Sequence, residues 1–147
     1  MSRVQFTIKP APVLVEHRPL FKIAQLLLVL LISSRGGKSS LARLQLFNWA
    51  LKVDRRLELL LRAAETGRLQ TTGWGFDPAV PIALRFAIGE GLIEDASTGY
   101  QITDDGEAFA RAFMEAGLLV KEREGLSSVA KKITEGMVTE VARTWEG

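Results

Sequence analysis

Residues 20–32 carry only two polar side chains, Lys22 and Gln25, and residues 26–32 are an unbroken run of Leu, Val and Ile. Nothing else in the chain restricts its fold so strongly, because this much apolar surface must leave water. A membrane span needs about 20 consecutive apolar residues, and this run stops at Ser33-Ser34-Arg35. The run therefore predicts a fully buried central helix rather than a membrane anchor. Pro19 suits the first turn of such a helix, which is expected over 19–33. With 147 residues, of which 47% are apolar and 24% charged, the chain fits one domain able to bury a core.

Upstream, Val4, Phe6 and Ile8 alternate with polar residues, as in a period-two strand. Pro10 and Pro12 end it, so residues 1–18 are expected to be a strand and arm. Downstream, Arg35-Gly36-Gly37-Lys38 reads as a turn, with Ser39 or Ser40 capping a second helix over about 40–52. Asp54 is expected to cap a third helix over about 55–66, closed by a left-handed Gly67. Asp77 and Pro78 start a fourth, which ends at Gly91, and Pro81 is tolerable in its first turn. Residues 92–95 and 100–103 then form a β-hairpin around Ala96-Ser97-Thr98-Gly99. Thr103 or Asp104 caps a fifth helix carrying Phe109, Ala110, Phe113 and Met114. A polar hinge, Lys121-Glu122-Arg123-Glu124-Gly125, precedes a last amphipathic helix over about 127–145. Its stripe is Leu126, Val129, Ala130, Ile133, Met137, Val141 and Trp145. Helix, helix, helix, hairpin, helix is the order of a winged helix. The expected class is mainly α: a winged-helix-like domain over 19–117 with a short β-hairpin wing, an N-terminal strand and a C-terminal amphipathic helix over 118–147.

The candidates for chemistry are few. Gly37-Lys38-Ser39 resembles the end of a phosphate-binding loop, but that loop needs a glycine at position 32, where Ile32 stands, and must follow a strand. Cysteine is absent and His17 is the single histidine, so thiolate or zinc ligation is not expected. Asp104, Asp105 and Glu107 sit where carboxylates favour a helix start. Glu94 and Asp95 are adjacent on a strand and point to opposite faces. The chain is therefore expected to be non-catalytic, with no cofactor, no metal and no small-molecule ligand. The opening residues lack an apolar leader segment, which places the protein in the cytoplasm.

Charge is unevenly spread: residues 1–68 hold 12 Lys/Arg and 4 Asp/Glu, residues 69–147 hold 7 and 13. Such asymmetry suggests different partners at the two ends. By position the fourth helix would be the DNA-reading helix, yet Arg85 is its only basic residue and the wing carries Glu94 and Asp95. Nonspecific contact with DNA phosphates would fall instead to Arg35, Lys38, Arg55, Arg56, Arg62 and Arg68. Glu58 is placed to pair with Arg62 at i, i+4. Protein contact is suggested by Trp74 and Phe76, aromatics between glycines in a loop. Arg43 projects to the same face as Phe47 and Ala50, opposite Lys38, Gln45, Asn48 and Lys52; it is either paired inside the fold or used at an interface. Ile133, Met137 and Trp145 of the last stripe bury either against the domain's own core or against a larger subunit.

Three stretches carry a family likeness. They are Arg18-Pro19-Leu20-Phe21-Lys22-Ile23-Ala24-Gln25, Ser33-Ser34-Arg35-Gly36-Gly37-Lys38-Ser39-Ser40, and Leu44-Gln45-Leu46-Phe47-Asn48-Trp49-Ala50-Leu51. With Phe76-Asp77-Pro78-Ala79 and the wing, they resemble the middle component of bacterial ABC-three-component systems over about residues 18–106. The resemblance implies a small winged-helix-like accessory subunit bridging an SMC- or Rad50-like ATPase and an effector protein in anti-phage or anti-plasmid defence. It supplies no catalytic residues. The alternative from the residues alone is a freestanding winged-helix DNA-binding transcription regulator.

Overall fold

The computed structural model describes residues 19–146, with side chains through Arg143. The strand and arm expected over 1–18, with His17, lie outside the described residues, as does the Trp145 side chain. Helix α1 (Pro19–Ser33) runs through the centre, and residues 23–30 are all buried. It packs against α4 (Ala79–Gly89), α5 (Asp104–Glu115) and α6 (Val120–Val129). A helix covered from several sides needs apolar residues around its circumference, which is what the Leu run provides. Each fully buried Leu contributes about 2 kcal/mol of transfer free energy. Among the described residues no helix is long and apolar enough to cross a membrane.

After a 3-10 turn at Arg35–Gly37, strand β1 (Lys38–Ser39) leads into α2 (Leu41–Leu51) and α3 (Asp54–Thr66). Ser40 caps α2 by accepting the Arg43 N–H, and Gly67, at φ 81°, closes α3 in the left-handed region. Asp54 is not the cap of α3: Val53 holds that position without a side-chain bond, and Asp54 is the first helical residue. Its carboxylate pairs instead with Lys121 at 3.0 Å.

The hairpin is β2 (Ile93–Ala96) and β3 (Gly99–Ile102), paired antiparallel with Ala96 opposite Gly99. The connecting loop is thus two residues, Ser97 and Thr98. Strand β1, whose Lys38 reads from sequence as the end of a turn and Ser39 as a candidate helix cap, adds to the other edge of β3 with Lys38 opposite Gln101 and Ser39 opposite Tyr100. The sheet therefore has three antiparallel strands in the order β1-β3-β2. Two residues are too few to show a period-two pattern, so β1 left no signal. Thr103 caps α5 by accepting the Gly106 N–H. Gly106 lies so near the hairpin that a Cβ there would come within 2.1 Å of the Leu92 carbonyl oxygen.

The single last helix expected over 127–145 is instead two, α6 and α7 (Glu135–Glu146), and the supposed hinge at 121–124 is helical. Ala130 breaks the chain at φ 54° and ψ −141°, and Thr134 Oγ1 accepts the Met137 N–H at 3.1 Å to start α7. Leu126, Val129, Ile133, Val138 and Val141 are all buried in the common core. The stripe looked like one helix because both segments present their apolar residues to the same core at spacings near four.

Candidate functional site

Helix α4 buries Val80, Ala83, Leu84 and Ala87. Its other face leaves Ile82 48% and Phe86 56% exposed, and Phe76, three residues before the helix, is 65% exposed. Ile82 and Phe86 are one turn apart on one face, with the exposed Arg85 beside them. Single exposed apolar residues are ordinary; here three large ones lie on or just before one helix.

A polar cluster fixes the start of that helix. Asp77 is held to α2 by paired bonds with Gln45: Gln45 Nε2 donates to the Asp77 carbonyl at 3.0 Å, and the Asp77 N–H donates to Gln45 Oε1 at 2.9 Å. The carboxylate accepts from Lys52 Nζ at 2.7 Å, Asn48 Nδ2 at 3.0 Å and the Ala79 N–H at 2.9 Å. Lys52 foremost, with these N–H donors, holds the Asp77 carboxyl well below the usual carboxylate range. Lys22 from α1 completes the cluster by donating to Asn48 Oδ1, and burial lowers its pKa. Gln45 and Asn48, assigned from sequence to the outer side of α2, are 3% and 2% exposed. That assignment failed because α2 is covered on both sides. Its polar residues are largely uncharged amides, which can be satisfied internally, and this was the available clue.

Arg43 is paired inside the fold. It is 3% exposed; its Nε donates to the Ile133 carbonyl at 2.7 Å, Nη1 to Ser34 Oγ at 2.8 Å and Nη2 to the Ser33 carbonyl. Its guanidinium lies 4.8 Å from the Phe47 ring centre. Burial pushes its pKa down to about 10, so it remains charged at neutral pH.

The other residues singled out from sequence are dispersed. Trp74 is buried while Phe76 is not. Ile133 is buried and Met137 half-buried. Arg56 stacks on Trp49, 4.7 Å from its ring centre, and donates to the Trp49 carbonyl. Arg55 is exposed on α3. Arg62 and Arg68 line one shallow cleft with Gln70. Arg35 and Lys38 line another with Lys131, a residue sequence reasoning passed over. Among the described residues Glu58 and Arg62 do not form the expected pair.

Two backbone donors of the glycine turn are used internally. The Gly37 N–H donates to the Ser34 carbonyl at 3.1 Å and the Lys38 N–H to the Arg35 carbonyl, while Gln101 Nε2 donates to the Gly36 carbonyl. Among the described residues no group of three or more His, Cys, Asp or Glu side chains is placed to hold a metal ion. No protein-family model, curated protein or solved structure matches the chain.

Proposed function

We propose that this chain is a winged-helix-like, non-catalytic adaptor that joins an SMC-like ATPase to an effector protein in anti-phage or anti-plasmid defence. The observation that carries the adaptor role is the exposed face of α4, with Ile82 and Phe86 one turn apart and Phe76 at its entrance. A winged helix turns this helix toward its target. Here that position offers aromatic and aliphatic side chains, which suit a protein groove and not a phosphate backbone. The winged-helix reading is supported by the order of helices and by β1 pairing with the far strand of the hairpin. The ATPase and effector come from the family likeness of residues 18–106.

A DNA-reading regulator has less support, because Arg85 is the basic residue of α4 and β2 bears Glu94 and Asp95. The test is co-purification from cells expressing the chain with its genomic neighbours. Phe86→Asp with Phe76→Ser should remove a bound coiled-coil ATPase while leaving the melting temperature within about 2 °C, since both side chains are exposed. Undiminished ATPase recovery by the double variant would overturn the assignment of this face. Specific retention on one operator duplex would favour the regulator.

A further inference from the structure

A cleft of about 240 Å³ lies between the glycine turn after α1 and the segment joining α6 to α7. Arg35, Lys38 and Lys131 line it and are exposed, and buried Arg43 also reaches its wall. Against these four cations stands one carboxylate, Glu135, whose oxygens are both engaged by Ser40: Oε2 accepts the backbone N–H at 2.9 Å and Oε1 the hydroxyl at 2.7 Å. Among the described residues Arg35, Lys38 and Lys131 take part in no ion pair. Glu135 offsets one of the four charges, most directly that of Arg43. The remaining excess of like charge is self-repelling, and an anion drawn between the cations relieves that repulsion.

We propose that this cleft binds a phosphodiester group of a nucleic-acid backbone. Its cations come from segments far apart in sequence, and the turn that carries two of them is pinned to the sheet. Gln101 holds the Gly36 carbonyl, and Lys38 Nζ donates to Thr98 Oγ1, in the hairpin loop, at 2.8 Å. Lys38 and the backbone that carries Arg35 are therefore fixed before a ligand arrives. The cleft is smaller than the roughly 300–1,000 Å³ usual for whole small-molecule ligands, and no aromatic ring lines it to stack a base. It fits a phosphate carried on a chain better than a complete nucleotide. The site is separate from the aromatic face of α4 and does not depend on the adaptor reading.

The test is fluorescence anisotropy with a labelled mixed-sequence 20-mer, single-stranded and duplex, at low salt, on the full chain. Arg35→Glu with Lys131→Glu should weaken binding at least about tenfold and flatten the dependence of log K on log salt by about one unit for each phosphate no longer neutralised. The milder pair Arg35→Gln with Lys131→Gln should give an intermediate loss, and melting temperatures should match the parent. Arg62→Glu with Arg68→Glu, in the other cleft, should change affinity by less than about threefold. Equal losses from the two clefts would overturn the proposal in favour of a diffuse positive field, as would absence of oligonucleotide binding at low salt. Pyrophosphate and ATP are titrated separately. Binding of either more tightly than the oligonucleotide would assign the cleft to a free phosphate compound and overturn the backbone assignment.

Discussion

Arg43 and Ile133 are ninety residues apart in sequence, and Arg43 Nε lies 2.7 Å from the Ile133 carbonyl oxygen. The same guanidinium reaches Ser33 and Ser34 at the end of α1, so one side chain ties α1, α2 and the link before α7. Replacing it with Met strands two buried carbonyls. Arg43→Met should lose about 3 kcal/mol of unfolding free energy, measured by urea denaturation, and Arg43→Lys should recover only part, because an ammonium lacks the planar fork. A loss below about 0.5 kcal/mol would contradict this.

Gly106 and Gly36 should respond differently to alanine. At Gly106 the new methyl would meet the backbone oxygen of Leu92 at 2.1 Å, so strand and helix must separate. Gly36 has open space but a φ of 62°, so only backbone strain is added. Gly36→Ala should cost about 1 kcal/mol and Gly106→Ala clearly more, both read from denaturation midpoints.

Asp77 should make the domain sensitive to acid. Its carboxyl titrates below the usual range in the folded state, first through Lys52 and then through its N–H donors. The stabilisation is present above the unfolded carboxylate pKa of about 3.9 and is lost as pH falls through the lower folded value. The melting temperature of Asp77→Asn should therefore start lower at neutral pH and fall less between about pH 5 and pH 2. Parallel curves for variant and parent would contradict the linkage.

Ile133→Asp should unfold the isolated domain, because a carboxylate would enter a site 1% exposed in the core that also holds Val129 and Leu126. A destabilisation of several kcal/mol is expected. Circular dichroism at 25 °C is sufficient to see it, and a fully helical, cooperatively melting variant would place the residue elsewhere.

The central helix was legible because thirteen residues with two polar side chains allow few fates, and the hairpin because its strands flank a short polar turn. The caps Ser40, Gly67 and Thr103 followed from local chemistry that tertiary packing does not override. What escaped depended on distant partners. Gln45 and Asn48 look like surface residues until Asp77 arrives from 32 and 29 residues away. The break at Ala130 was hidden by a residue type that ordinarily continues a helix. Lys131 gained meaning only from its position beside Arg35 and Lys38.

The closure of the first helix by the last ones bears on how the chain is made. Ser33 Oγ donates to the Leu126 carbonyl across 93 residues, and Arg43 waits for Ile133. During synthesis α4 and α5 can cover part of α1 before α6 emerges, and at about 5–20 residues per second the last of its cover follows α1 itself by several seconds. Folding is completed only after translation reaches α7. A chain that ended before Leu126 would lack this last layer, and the side of α1 that packs on α6 would stay open to water.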